Sequence, residues 1–144
     1  MIDDATAAPD TAATKAELDL LTREFFDAFD NRDGRTADVA RLRRLMLPEG
    51  VIVVTGPAYA VYGVEEFIAP REVLLSDGRL TDFHEWEVSE RTEIVPGVAC
   101  RIGTYRKSGT LNGAPYDATG TKTFQFVHTP SGWRIAAFSW HDEQ

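Results

Sequence analysis

Four long strand patterns fill the second half of the chain and follow directly on a first half with helical patterns. The strands cover about residues 81–94, 98–108, 116–128 and 133–142. Short turns join them, at Pro96-Gly97, Asn112-Gly113 and Ser131-Gly132. Helices followed by such a meander predict an α+β fold. We expect a strongly curved mixed or antiparallel sheet whose concave face holds the N-terminal helices, with an open mouth where small molecules usually bind.

The first half predicts three helices and one short strand. Thr14 and Glu17 have the spacing of a capping box, so a first helix is expected to begin at Thr14 and to end near residue 31. A second helix is predicted over residues 37–47, and a strand that is apolar on both faces over residues 51–55. A third helix begins near residue 64, and Pro70 is expected to kink or split it. Residues 1–13 are predicted to be a mobile tail before a single domain of residues 14–144.

Composition narrows the possible partners. The chain has 144 residues, of which 43% are hydrophobic, as in an ordinary globular domain. A formal net charge of -8 without a basic stripe disfavours nucleic acid. No apolar run is long enough to span a bilayer and no signal peptide is recognisable, so we expect no membrane partner and a cytoplasmic location. Cys100 is the single cysteine, no histidine pair has metal-ligand spacing, and neither a metal nor a cofactor is expected.

Alternation along the strands predicts which side chains face the core. On residues 81–94 the even-numbered side chains, His84, Trp86 and Val88, are predicted to point inward. On residues 98–108 the even-numbered side chains, which include Thr104, are also predicted to point inward. Arg101 is therefore predicted to point outward. The last strand is apolar on both faces, so one face is expected to meet the helices and the other a second copy of the chain. The sequence thus predicts a homodimer formed through the sheet.

The order of these elements resembles the cone-shaped nuclear transport factor 2-like superfamily. The sequence YGVEEFI at residues 62–68 resembles the glycine-led entry into the third helix of that family, and residues 121–140 resemble its last hairpin. A tryptophan also follows the Ser131-Gly132 turn directly. The resemblance covers about residues 14–141 and implies a cystatin-like α+β fold. The most similar branch is SnoaL-like and holds small uncharacterised proteins, polyketide cyclases, steroid isomerases, limonene epoxide hydrolase and scytalone dehydratase.

The resemblance also implies where catalytic carboxylates would lie. Steroid isomerases of this fold need a carboxylate base, which would fall at about Val54 or Thr55, and a protonated acid, which would fall at about Phe124. None of these positions carries a carboxylate, so isomerase activity of that type is not expected. The Asp-Arg-Asp set of the epoxide hydrolase is matched poorly, because Arg101 and Asp117 are predicted to point outward.

Histidines and aromatic residues remain as site candidates. His84, His141 and Tyr59 are the candidate catalytic residues, because imidazole titrates near neutral pH and two imidazoles with a phenol suit general acid-base chemistry. The predicted ligand pocket consists of Tyr59, Tyr62, His84, Trp86, Thr104, Phe124, Phe126 and Trp140. Each histidine can equally be a hydrogen-bonded core or rim residue, and each aromatic ring can equally be core packing. Asp142 and Glu143 are expected to solvate the end of the last strand.

Three functions remain open at this point. The first is a binding module for a small organic ligand in an apolar pocket. The second is a cofactor-independent lyase, isomerase or cyclase that acts through His84, His141 and a tyrosine. The third is a dimerisation or association module, which would show a broad apolar sheet face instead of a cavity. An enclosed void lined by proton-carrying groups would favour the enzyme, and a void filled by aromatic rings would favour the other two.

Overall fold

The N-terminal helix begins and ends earlier in the chain than its sequence pattern predicts. A computed structural model describes residues 11–143, and helix α1 spans Thr11–Asp27. Thr14 is buried inside this helix, so the predicted capping box at its start is wrong. Residues 1–10 of the predicted tail lie outside the described residues, whereas residues 11–13 are helical. No helix within residues 11–143 has both the length and the apolar character needed to cross a membrane.

The region predicted as a second helix holds only a 3-10 turn and one turn of α-helix before a strand begins. After a short 3-10 turn at Arg32–Gly34, a second one at Val39–Arg41 leads into the four-residue helix α2, Leu42–Leu45. Strand β1, Met46–Val54, then begins within the predicted helix of residues 37–47 and before the predicted strand of residues 51–55. Proline at position 48 explains the difference, because it disfavours helical backbone at the residue before it and has no N–H for a helical hydrogen bond.

A short strand and a third helix precede the four long strands. Strand β2 is Ala60–Tyr62 and helix α3 is Val64–Leu74, which stays continuous through Pro70. The Glu66 carboxylate accepts a hydrogen bond from the Gly63 N–H at 2.8 Å and so caps the first turn of α3. The long strands are β3, Leu80–Val95; β4, Val98–Leu111; β5, Ala114–Thr129; and β6, Gly132–Glu143. All four were predicted from the sequence within a few residues.

The six strands form one mixed sheet in the order β2-β1-β6-β5-β4-β3. Strands β3 to β6 pair antiparallel with their neighbours, while β1 pairs parallel with β6. The predicted α+β class with a mixed or antiparallel sheet is confirmed. The parallel pair joins the first strand of the chain to the last, so residues far apart in sequence meet on one concave surface.

Aromatic packing fixes α1 against the concave face of the sheet. The ring of Phe25 lies edge-to-face 4.7 Å from that of Phe138 and 5.1 Å from that of Phe124, measured between centroids. Phe126 is also fully buried. Burial of each such side chain stabilises the fold by roughly 1.5–3 kcal/mol. Phe138 and Trp140 both face this core, whereas Ala137 and Ser139 lie on the opposite side of β6. A dimer through that opposite side stays a prediction.

The predicted faces of β3 and β4 are wrong. Phe83 and Glu85 are buried on β3, and Arg101 and Tyr105 are buried on β4, whereas Thr104 is exposed. Two causes explain this inversion. The pairing of β3 with β4 is irregular between residues 81 and 84 and again between residues 87 and 89, which breaks simple alternation. The buried charges have partners of opposite charge, so an acidic or basic residue does not mark the outer face here.

A cavity with charged side chains on its floor

A cavity of about 330 Å³ opens between the concave face of the sheet, helix α3 and the loop after β1. This volume lies at the lower end of the roughly 300–1,000 Å³ that is usual for ligand pockets. Most of its wall is apolar, and the apolar lining includes Val54, Phe67, Leu74, Phe83, Leu111 and Trp140. The cavity therefore has the apolar lining that a small organic molecule requires.

Four ionisable side chains from the last four strands line the floor of the cavity, and Tyr105 lies buried beneath them, bonded to one of the four. We call this set the cavity cluster, and it consists of Glu85, Tyr105, Lys107, Lys122 and Asp142. Strand register explains why they meet. Glu85 pairs with Lys107 across β3 and β4, and Tyr105, Gly120 and Asp142 lie in one row across β4, β5 and β6. Within residues 11–143, no group of three or more His, Cys, Asp or Glu side chains is placed to hold a metal ion.

Lys122 and Glu85 form a deeply buried ion pair. The Lys122 Nζ donates to Glu85 Oε2 at 2.7 Å, and the two side chains are only 4% and 5% exposed. The ammonium also lies 4.8 Å from the ring centroid of Tyr105 and 5.0 Å from that of Phe25. Burial lowers the pKa of Lys122, and the attraction of Glu85 opposes this change. Lys122 therefore releases a proton more readily than a lysine in water.

Tyr105 reaches Asp142 across the intervening strand. Its hydroxyl donates a short hydrogen bond to Asp142 Oδ1, and Lys107 Nζ lies 3.1 Å from the same oxygen. Gly120 lies between them, and a Cβ at this position would overlap the Tyr105 hydroxyl and the carbonyl oxygen of His141. Burial, followed by the hydrogen bond to Asp142, raises the pKa of Tyr105 far above its ordinary value. The phenol therefore stays protonated and acts as a donor.

Two further polar side chains line the cavity outside this cluster. The Arg71 guanidinium on α3 lies 3.7 Å above the ring centroid of Phe67 and 5.6 Å from that of Trp140, and it donates to the Phe67 carbonyl at 3.1 Å. Burial raises the pKa of Tyr116, so its phenol is also protonated. The Tyr116 hydroxyl has no hydrogen-bond partner within residues 11–143. Both side chains have donors available to a bound molecule.

A second group of charged side chains surrounds the buried Arg101 beneath α1 and contrasts with the first. This helix cluster consists of Lys15, Asp19, Glu87, Glu90 and Arg101. Arg101 Nη2 lies 2.7 Å from Glu87 Oε1, and Arg101 Nη1 lies 2.8 Å from Asp19 Oδ1. Although burial would lower the pKa of Arg101, these hydrogen bonds raise it above its ordinary value. None of the five residues lines the cavity, so this cluster attaches α1 to the sheet.

The three candidate catalytic residues of the sequence analysis do not meet. His84 stacks on Trp86 with their ring centroids 4.4 Å apart, and burial lowers its pKa. His141 is exposed, with its Nδ1 2.8 Å from Thr55 Oγ1. Tyr59 is 75% exposed. None of these three side chains lines the cavity, so the structure offers no common point at which they act together.

The predicted pocket residues also separate. Trp140 lines the cavity, and the ring of Tyr62 lies 5.9 Å from that of Phe67 and 5.2 Å from the Arg71 guanidinium. Phe124 and Phe126 belong to the core. The prediction of Thr104 as an inward-facing residue is corrected, because it is exposed and shares a 2.7 Å hydrogen bond with Ser89.

The sequence carried a signal for the residues that were missed. Lys122 has the same strand parity as Phe124 and Phe126, and Asp142 the same parity as Trp140. A charged residue on the same strand face as buried aromatic residues indicates a buried charge with a partner of opposite charge. Asp142 was assigned to solvation of the chain end, and its place in the cavity corrects that assignment.

The positions compared with those of steroid isomerases agree with the sequence analysis. Val54 lines the cavity and Phe124 is core, and neither offers an acid. The acids of this cavity come instead from β3 and β6, as Glu85 and Asp142. The cavity therefore holds more proton-carrying groups than the apolar pocket expected from the sequence.

Solved structures resemble the chain over nearly its whole length, although no protein-family model and no curated protein matches it. A conserved protein from Planctomyces limnophilus has a TM-score of 0.77 at 21% identity, covering 92% of this chain and 98% of that one. A nuclear transport factor 2-like superfamily protein from Salmonella enterica has a TM-score of 0.76 at 13% identity, covering 93% and 94%. A third, with a cystatin-like fold, from Novosphingobium aromaticivorans, has a TM-score of 0.70 at 18% identity, covering 99% and 91%. The chain therefore has the nuclear transport factor 2-like fold.

Proposed function

We propose that the protein binds a small organic molecule in the cavity between α3 and the concave face of the sheet. The observation that carries this proposal is the combination of an apolar wall with a few convergent polar groups in one hollow of about 330 Å³. Apolar surface supplies affinity, and the Tyr116 phenol and the Arg71 guanidinium supply hydrogen-bond donors that fix the orientation of the ligand.

A cavity-blocking variant tests this proposal. Ala58 lies at the exposed edge of the cavity, so Ala58→Trp places an indole at the mouth without entering the core. Ala69→Trp makes the same change at an exposed position of α3 that does not line the cavity, and it is the matched control. Small apolar compounds that raise the melting temperature of the wild type are expected to do so for Ala69→Trp and not for Ala58→Trp. Equal binding by all three proteins would place the ligand elsewhere.

A second candidate function is acid-base catalysis on the bound molecule, without a cofactor. It is favoured by two carboxylates and two ammonium groups of the cavity cluster, which line an apolar ligand site together with the protonated phenol of Tyr116. In this proposal a carboxylate, Glu85 or Asp142, takes a proton from a carbon beside a carbonyl group. An ammonium or phenol donates a hydrogen bond to the oxygen on which negative charge develops.

Deuterium uptake tests the catalytic candidate before any product is known. A carbonyl compound that binds the protein is incubated with it in D₂O, and exchange at the carbon next to the carbonyl is followed by NMR. Wild-type protein is expected to accelerate the exchange. Asp142→Asn and Glu85→Gln, tested separately, identify the base, because the variant that loses it exchanges at the uncatalysed rate while still binding the compound. A wild type that binds the compound without accelerating exchange would leave binding as the function and exclude this chemistry for that compound.

A further inference from the structure

We infer that the ligand of the cavity carries a carboxylate group, and that Arg71 binds this group at the wall of the cavity. This inference rests on the proposed function, because it names the chemical class of the molecule that the cavity receives. It assigns to Arg71 a role in ligand recognition that the fold alone does not imply.

The surroundings of Arg71 hold the guanidinium in place without neutralising it. The Phe67 and Trp140 rings lie beside it, and it donates a hydrogen bond to the Phe67 carbonyl, which uses one of its five N–H donors. Burial lowers the pKa of Arg71, and the hydrogen bond with the Tyr62 phenol and the charge of Glu85 oppose this change. No carboxylate of residues 11–143 forms an ion pair with it, unlike the other two cations of the cavity. The guanidinium is thus positioned by rings and still has donors to offer.

The charges that line the cavity do not balance, which also favours a negatively charged ligand. Lys122 is paired with Glu85 and Lys107 with Asp142, so the positive charge of Arg71 is left over. The protein as a whole has a net charge of -8, which makes this local excess of positive charge unusual. A buried charge without a counter-ion is unfavourable, and a ligand that brings one negative charge removes that cost.

A carboxylate fits this site better than a phosphate. A carboxylate carries a single negative charge, which matches the single unpaired cation, whereas a phosphate monoester is close to a dianion at neutral pH. The planar fork of a guanidinium also binds a carboxylate through two parallel hydrogen bonds. The rest of the ligand meets Val54, Leu74, Leu111 and the aromatic rings. The expected class is a compact organic acid with an aliphatic or aromatic body.

Matched acid and amide probes test this inference. Benzoate, phenylacetate and cyclohexanecarboxylate are each compared with their primary amides by calorimetric titration and thermal shift. The amides keep the shape and lose the charge. We expect at least one acid to bind wild-type protein about tenfold or more tightly than its amide, which is the effect of a charge-assisted hydrogen bond. Arg71→Gln should remove this preference and leave amide binding unchanged. Arg43→Gln, which removes an exposed arginine outside the cavity, should retain the preference.

The possible outcomes separate this inference from the proposed function. If acids and amides bind equally well, and Arg71→Gln binds both, the cavity holds a neutral molecule and the inference is overturned while the proposed function stands. If neither series binds wild-type protein, both fail together. Should Arg71→Gln not fold, Arg71→Lys keeps the charge without the planar fork. It is then expected to bind the acid more weakly than wild type while preferring it over the amide, and an unchanged affinity would overturn the role of Arg71.

Discussion

The two groups of buried charge differ in what lies next to them. In the helix cluster, Arg101 bridges carboxylates of the sheet and of α1, and its bonds end within the protein. In the cavity cluster, Lys122 and Asp142 are bonded as closely, but they line a hollow with a mostly apolar wall, whereas the hollow beside Arg101 is lined mostly by charged and polar side chains. Similar pairs of side chains therefore have different roles. The first holds a helix in place, and the second is available for binding or proton transfer.

This contrast shows that burial of a charge does not by itself identify a functional site. Both clusters hold a cation that is 4% exposed at its side chain. The carboxylates of the helix cluster remain partly in contact with solvent, whereas Glu85 does not. Removal of a cation should consequently be more costly in the cavity cluster, and only there should it change ligand binding.

The largest effect is expected for Lys122→Met, which leaves the Glu85 carboxylate buried without a partner. Loss of one member of a buried pair destabilises a protein by about 3–5 kcal/mol. Urea unfolding at neutral pH measures this change in the free energy of unfolding. The double variant Lys122→Met with Glu85→Leu is expected to recover most of the loss, because two apolar side chains then replace the pair. A single variant as stable as wild type would contradict this account of the buried pair.

A smaller effect is expected for Arg101→Met in the helix cluster. Its partners Glu87 and Asp19 can regain water when the guanidinium is removed, so the expected cost is about 1–3 kcal/mol, the range for hydrogen bonds to charged groups. The same urea experiment measures it, and ligand binding by the cavity should not change. A loss as large as that of Lys122→Met would contradict the contrast between the clusters.

The stability difference between Arg101→Met and wild type should also depend on pH. Burial acts to raise the pKa of Asp19, but hydrogen bonds from Lys15 and Arg101 outweigh it and lower the pKa. Hydrogen bonds from Lys15 and Thr92, together with the charge of Arg101, lower the pKa of Glu90. A carboxylate with a lowered folded-state pKa stabilises the fold above its unfolded-state pKa and loses this contribution as the pH falls. The difference should thus be full at neutral pH and shrink as the pH falls through and below the ordinary values of 4.5 and 3.8. Unfolding of both proteins across acid pH tests this, and a constant difference would contradict it.

The smallest effect is expected for an ion pair that belongs to neither cluster. Arg43 and Glu65 approach within 2.8 Å on the surface, with 48% and 67% of their side chains exposed. Exposed pairs of this kind contribute little, because water already solvates both charges. Arg43→Gln should therefore leave the melting temperature nearly unchanged, which also makes it a suitable control. A clear decrease in the melting temperature would show that exposed ion pairs contribute more to the stability of this protein than expected.

The fold was predictable where side chains follow simple rules. The four long strands are bounded by glycine and proline turns and were located correctly, as were the buried rings of Phe124 and Phe126. The faces of β3 and β4 were not predictable by alternation, because Glu85 and Arg101 are acceptable inside only with their partners from other elements. Residues 46 and 47 were assigned to the second helix, yet they begin strand β1, because Pro48 disfavours helical backbone at the residue before it.

The site was less predictable than the fold, since it depends on strand register and on pairs. Because imidazole titrates near neutral pH, the sequence favours His84 and His141 as catalytic residues, but neither side chain lines the cavity. The ion pair of Lys122 with Glu85 joins residues 37 positions apart in sequence, from strands that are not adjacent in the sheet. A single sequence does not report such a contact.

Gly120 has one further consequence for the sheet. Strands β4 and β6 share no backbone hydrogen bonds, because β5 separates them. The phenol of Tyr105 passes over the missing side chain at position 120 and bonds to Asp142 on the far strand. This hydrogen bond connects β4 to β6 across β5. Separation of the three strands at this point would therefore break a side-chain hydrogen bond as well as the backbone hydrogen bonds of the sheet.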